Sequence, residues 1–176
     1  MVKILKLFFY IAFFVLALIF FVPKSSIYHY AEAELQKYKI IVSNEEVVDD
    51  GLSLELSHAI VSFDSIDSAY IEKINMKFFV FYNSIDVKNI KLSKIASSLV
   101  PLNIKTLDIK YTIFNPLHVI AHASGEFGKA DAKINILDRN FTMVLTPSQM
   151  MFKNYKSTLD NLSKNKDGGY RYDQSF

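Results

Sequence analysis

His118 and His122 stand four residues apart, the interval at which two imidazoles on one helix face can share a metal ion. The neighbour of the first is Val119, where a hydrolytic zinc helix requires an acid, and the alternation around the pair is that of a strand. On a strand the two rings share a face but stand roughly 13 Å apart at ~3.3 Å per residue, too far for one ion. His29 and His58 are isolated. Glu45, Glu46, Asp49 and Asp50 have the ligand type of a hard-cation site without its spacing, and read as a solvated acidic turn. Gly125-Glu126-Phe127-Gly128 lacks the spacing and following helix of a phosphate cradle, and the chain has no Cys and no G-x-S-x-G. The expectation is a non-enzymatic protein with no catalytic, cofactor-binding or metal-binding residue. Tyr and Phe alternating with Lys would suit stacking on single-stranded nucleic acid. The neutral charge of the body argues against that partner, and aromatic alternation is what the inside of a sheet looks like.

Charge and apolar content divide the chain into two objects. Its 176 residues carry 20 Lys plus Arg against 18 Asp plus Glu. Lys3 and Lys6 supply the excess, so that beyond Val22 bases and acids balance at 18 each. Leu7 to Pro23 holds no charge and contains Phe8, Phe9, Phe13, Phe14, Phe20 and Phe21. As a helix this run covers ~26 Å at ~1.5 Å per residue, enough to cross a bilayer once Lys6 and Lys24 reach outward. Phe20 to Lys24 offers no small-residue cut site, so the segment reads as a retained anchor instead of a removed signal. Two lysines precede it and Glu32 and Glu34 follow, which by the positive-inside rule puts the body outside the cytoplasm, in a bacterial cell the periplasm. Absence of Cys fits a periplasmic domain held by packing. Residues 1–22 are accordingly a cytoplasmic stub and transmembrane anchor, touching the inner membrane through residues 4–23; residues 23–39 are a connector helix; residues 40–176 are a periplasmic β domain.

The elements that position these groups follow from the change of period. Ile27, Ala31, Leu35 and Tyr38 predict an amphipathic helix over residues 24–38. Asn44 to Gly51 reads as a solvated connection. From Leu52 the period is two: Leu52 to Leu56, Val61 with Phe63, Tyr70 to Phe78, Ile85 to Leu92 with a slip at Asn89, and Leu107 to Ile113. Phe78 to Tyr82, apolar on both faces, predicts a strand covered on two sides. Ser93 to Val100 predicts a short helical connection, and Val119 to Leu145 a meander. Thr146 as cap and Pro147 in the first turn predict a helix to Leu162 with Met151, Tyr155, Thr158 and Leu162 on one face. Alternation from Tyr170 to Phe176 predicts a final strand. The fold class is therefore mainly β with two helices: an antiparallel sheet or sandwich-like domain behind a single membrane helix and an amphipathic connector, closed by a C-terminal helix and strand.

Several segments together resemble the protein N family of type II secretion systems (GspN-like). They are the anchor running into Pro23-Lys24 with Ile27-Tyr28 and Tyr30, Phe81-Tyr82-Asn83-Ser84, Val87-Lys88-Asn89-Ile90, Ala123 to Gly128, Leu137-Asp138-Arg139, Pro147-Ser148 and Gly169-Tyr170-Arg171-Tyr172. The resemblance implies a bitopic inner-membrane protein with an antiparallel periplasmic domain in an accessory role, and supplies no catalytic residue. The family is similar in turn to anchored β-groove proteins that handle lipid. Two functions are expected, in order. The first is a structural component of a trans-envelope machine, of type II secretion type or a periplasmic scaffold of a flagellar motor, docking on other envelope-complex proteins through sheet edges. The second is a lipid-binding or lipid-transport groove lined by Phe78 to Tyr82 and Val119 to Leu145.

Overall fold

The computed structural model describes residues 2–79, 81–165 and 168–176. Helix α1 (Val2–Phe21) is apolar along its length, long enough to cross a membrane, and buries none of its span against the rest of the chain. Pro23 breaks it, and α2 (Lys24–Lys37) follows. Eleven strands then form one antiparallel sheet: β1 (Ile40–Ser43), β2 (Glu46–Asp49), β3 (Ser53–Phe63), β4 (Ile66–Phe78), β5 (Tyr82–Leu92), β6 (Asn103–Thr112), β7 (His118–Gly125), β8 (Gly128–Asn135), β9 (Asn140–Pro147), β10 (Ser163–Lys164) and β11 (Tyr170–Ser175). A 3₁₀ turn (Lys94–Ser98) joins β5 to β6, and α3 (Gln149–Asn154) with α4 (Lys156–Asp160) joins β9 to β10. From β3 to β9 each strand pairs with its successor; β11 then adds to β9, while β1 and β2 share the outer edge of β3. Of the two forms that alternation leaves open, sheet or sandwich, the strands take the single sheet.

The register turns the alternation of each strand into rows that cross the sheet. One row reads Leu56, Ile74, Val87, Leu107, Ala123, Ala130, Leu145 and Tyr170. The next on the same face reads Leu54, Met76, Ile85, Ile109, Ala121, Ala132, Met143 and Tyr172. A third continues through Phe78, Asn83, Tyr111, Val119, Ile134 and Phe141. The opposite face carries the charges, as in Glu55, Asn75, Asp86, Asp108, His122 and Asp131. Apolar rows on one face and polar rows on the other are what a period of two must give once strands pair in register.

A seam crosses the first four long strands. His58 (φ 60°) and Asn89 (φ 53°) adopt left-handed backbone, and the register sets His58 opposite Glu72, with Asn89 between Glu72 and Lys105. Asn89 Nδ2 donates to Glu72 Oε2 at 2.8 Å. Beyond the seam the inward positions shift by one residue, so that Ala59, Ile71, Ile90 and Ile104 join the same core as Leu56, Ile74, Val87 and Leu107. The slip expected at Asn89 is this seam, because a single residue at positive φ turns the following side chains over.

Several local expectations are corrected. Phe78 to Tyr82 is no doubly covered strand: β4 ends at Phe78, β5 begins at Tyr82, and Phe79 N donates to Tyr82 O at 3.1 Å across the reversal. Val80, within that stretch, lies outside the described residues. The acidic connection contains β2, whose Val47 and Val48 pair with Leu56 and Glu55. The connector helix has its expected bounds to within a residue, but the side chains it buries are Lys24 and Tyr28, while Ile27 and Leu35 stay 37% exposed. The C-terminal helix is capped by Ser148, whose hydroxyl accepts from Met151 N, because Pro147 is still in β9; it breaks at Tyr155 into α3 and α4. Part of the break expected at Lys164 to Gly169 falls on residues 166 and 167, outside the described residues.

Candidate functional site

Coverage of the apolar face is uneven, and this defines the site. At one side α2 packs against β1, β2 and β3, and its Tyr28 is buried together with Leu54, Leu56, Ala59, Ile74, Val87 and Ile90. At the other, α3 and α4 bring Met151 and Leu159 onto Leu145, with Ala130 and Tyr170 beside them. Between these covers lie the inward residues of β6, β7 and β8: Leu107, Ile109 and Tyr111; Val119, Ala121 and Ala123; Ala130, Ala132 and Ile134. All are half-buried; Leu107 packs against the α2-side core and Ala130 against the α3–α4 side, and among the described residues no second sheet faces the others. From Leu107 to Tyr111 this floor runs roughly 14 Å at ~3.4 Å per residue. Its alanines keep it shallow over β7 and β8, with larger side chains on either side.

The two ends of the floor differ. At the end where β5 leads to β6, Pro101 is fully buried and Thr158 Oγ1 of α4 donates to Leu99 O at 2.6 Å, tying the C-terminal helices to the β5–β6 connection. That closes the distal end. At the other end the last turn of α1 meets the sheet. Leu18, Ile19 and Val22 of the apolar helix, Ile27 of α2, and Phe78, Phe79 and Asn83 border one open cavity of about 300 Å³. A Cβ on Gly51 would lie 3.1 Å from the Phe20 ring, which puts the β2–β3 corner against the same turn. The floor therefore runs out toward the membrane-length helix.

Polar groups fix the corner between helix and sheet. Lys24, expected to reach outward, is buried instead, and its Nζ donates back to Ile19 O and to Val22 O at 2.8 Å. Those carbonyls end α1 without helical partners, and a cation there also suits the negative end of the helix dipole. Asp49 accepts from Ser25 N at 3.1 Å and Gly51 N at 2.9 Å. Burial would raise its pKa, but these backbone donors, with Lys24 nearby, outweigh it and hold the carboxyl below the usual range. Asp50 accepts from Ser53 and Leu52, which lowers it likewise. Tyr28 O–H donates to Glu45 Oε1 at 2.7 Å; burial, that hydrogen bond and the charges of Glu45 and Glu32 push the phenol well above its ordinary value. Three of the four acids thus serve as turn and helix partners, a role their spacing alone did not reveal.

The other chemistry-bearing residues do not converge. His118 pairs with Asn115 Oδ1 at 2.6 Å, and His122 with Asp131 Oδ1 at 2.6 Å. Among the described residues no three His, Cys, Asp or Glu side chains could hold one metal ion. A concavity of about 800 Å³ lies at the seam, bordered by Tyr70, Glu72, Asn89, Ile90, Ile104 and Lys105. Its size exceeds that of the helix-side cavity, but its amides are spent on its own acids: Asn89 on Glu72, and Asn103 on Glu126 at 2.8 Å. The uncovered apolar floor is the better site because nothing in the chain satisfies it. Sequence reasoning listed its β7 and β8 members within Val119 to Leu145 but missed Leu107, Ile109 and Tyr111 of β6, whose alternation was the only signal. Comparison with protein-family models, with curated proteins and with solved structures found no match.

Proposed function

We propose that the protein is a membrane-tethered lipid-binding groove. It takes acyl chains of a phospholipid from the membrane that α1 crosses onto the apolar floor of β6 to β8, in lipid holding or transport. The observation that carries this reading is the half-buried apolar floor with no second sheet over it among the described residues; Thr158 donates to Leu99 O at one end, and at the other Phe78 and Asn83, in the row of Tyr111, border a cavity with Leu18 and Ile19 of α1. An apolar face of this extent left in water is costly, at roughly 25 cal/mol per Å², and an alkyl chain is the ligand whose burial recovers that cost without hydrogen bonds. Lys3 and Lys6 put the N-terminus in the cytoplasm and the body in the periplasm of a bacterial cell.

Native mass spectrometry of the full chain released from mild non-ionic micelles tests the proposal. Wild type should retain phospholipid at energies that strip the detergent. Ala121→Trp combined with Ala132→Trp, which fills the floor, should lose it while staying folded by circular dichroism. Lipid-free wild type, or equal lipid on both proteins, would overturn it.

A second reading has its own observation. β10 pairs only with Tyr170 and Arg171, so among the described residues the outer backbone edge of Tyr172 to Ser175 has no strand beside it. Such an edge can recruit a partner strand, which suits the accessory role in a secretion or motor assembly. Deleting residues 172–176 should then release the protein from that assembly without changing retained lipid.

A further inference from the structure

Three of the reversals at the α1 end carry exposed apolar side chains, beside the acidic β2–β3 corner of Asp49 and Asp50. The β4–β5 reversal carries Phe79 and Phe81, the latter 53% exposed; the β6–β7 loop carries Ile113, Leu117 and Phe114, the last 86% exposed; the β8–β9 turn carries Ile136 and Leu137, 71% exposed. Phe176 joins them, its N–H donating to Arg139 O at 3.0 Å. On the outward face the row next to these tips is Tyr82, Thr112, His118 and Asn135, and one row behind it stand Lys77, Lys110 and Lys133. The opposite end of the sheet reverses through Asp64-Ser65 and Glu126-Phe127, with Phe63 and Ile66 exposed beside the first and Ile95 and Leu99 exposed in the β5–β6 connection.

What covers the tips follows from the position of α1. Leu18 and Ile19, inside the membrane-length helix, border the same cavity as Phe78 and Phe79, so the first tip already reaches back beside the helix's last turn. The neighbouring tips end the same sheet at the same end. Large apolar side chains at the end, with lysines behind, match the order of layers in a bilayer interface: hydrocarbon first, phosphate next.

We propose that Phe79, Phe81 and the loops 113–117 and 136–139 insert into the outer interface of the membrane that α1 spans, with Phe114 and Leu137 among the acyl chains and Lys77, Lys110 and Lys133 at the phosphate level. The body is then held at several points and its end is fixed against the bilayer. This goes beyond the groove, and requires only that α1 crosses the membrane.

The chain has no Cys, so single cysteines report one site each. The full chain is reconstituted in phosphatidylethanolamine–phosphatidylglycerol vesicles with Phe114→Cys, Leu137→Cys, Ser65→Cys or Glu126→Cys, each labelled with an environment-sensitive fluorophore. Labels at 114 and 137 should be blue-shifted, quenched by spin-labelled acyl chains, and several-fold less sensitive to aqueous iodide than labels at 65 and 126. These positions are exposed, so the substitutions leave the core alone; unchanged circular dichroism confirms it. Equal iodide quenching at all four positions would overturn the proposal. Protection at 114 and 137 from iodide without quenching by spin-labelled lipid would overturn it too, by placing a protein there. Either failure leaves the retained-lipid result, and so the groove, untouched.

Discussion

Leu56 and Ile109 occupy neighbouring apolar rows of the same face, yet truncating them should cost very different amounts. Leu56 is 1% exposed, beneath Tyr28 and beside Ile74, so Leu56→Ala removes a fully packed side chain and leaves a cavity. Such changes cost about 3 kcal/mol within a range of ~2–5. A domain of this size shifts in Tm by ~2–4 °C per kcal/mol, giving a fall of roughly 6–12 °C. Ile109 is half-buried on the floor of β6, where one side already faces open space. Ile109→Ala then loses about half of a side chain's transfer energy, ~1 kcal/mol, and creates no enclosed void. Its Tm should fall by only ~2–4 °C. Thermal unfolding of the full chain in micelles, followed by far-ultraviolet circular dichroism, separates the two. Equal losses near 3 kcal/mol would mean that the floor is covered as completely as the α2 side, and the reasoning from a single open sheet would fail.

Three further outcomes follow from individual groups. Gly128→Ala should destabilise by about 1–3 kcal/mol in the same assay, since its φ is +113° and a Cβ would sit 2.2 Å from Thr146 O; Gly168→Ala, at φ +82° with nothing within 4 Å, should cost only its backbone term of about 1 kcal/mol. Depressed carboxyls at Asp49 and Asp50 stabilise the folded state above their ordinary value of 3.8, and that stabilisation is lost as pH falls through their lower folded values. Hydrogen exchange of Gly51, Leu52 and Ser53, corrected for intrinsic rates, should therefore lose protection in acid below that value; protection unchanged to the acid limit of the fold would refute it. The raised Tyr28 phenol acts oppositely, stabilising below its ordinary 10.0 and losing that stabilisation as pH climbs through its higher folded value. Tyr28→Phe should flatten the alkaline side of a stability–pH curve, and an unaltered slope would count against the Tyr28–Glu45 contact.

Much of the sheet was legible because a period of two is a direct consequence of pleated backbone. Leu107 to Ile113 and Tyr170 to Phe176 give strands within a few residues of β6 and β11, and Asn89 marks the seam. Alternation specifies that one face is apolar and says nothing of what lies against it, so single sheet and sandwich were equivalent until the register and the positions of α2, α3 and α4 were known. Composition misled in two places. Four acids concealed β2, where Val47 and Val48 carry the pairing, and five apolar residues from Phe78 read as a buried strand where the chain reverses beside α1. The second error is informative: Phe78 and Phe79 stand beside the last turn of the apolar helix α1, bordering one cavity with Leu18 and Ile19. The candidate site was legible only in part, since β7 and β8 were named but β6 was not. Its extent is set by Ser148 starting and Tyr155 breaking the C-terminal helix, whose Met151 and Leu159 pack on Leu145 of β9 and against Ala130 of β8.

The groove is tested most directly by resolving the two faces of one strand in the living membrane. A photoreactive amino acid placed in turn at Ile109, Ala121 and Ile134 on the apolar face, and at Asp108, His122 and Asp131 on the polar face, is activated in cells carrying phosphate-labelled lipid. The account requires label to transfer to the protein from 109, 121 and 134 and not from 108, 122 and 131. Transfer from neither face, or equally from both, would contradict it.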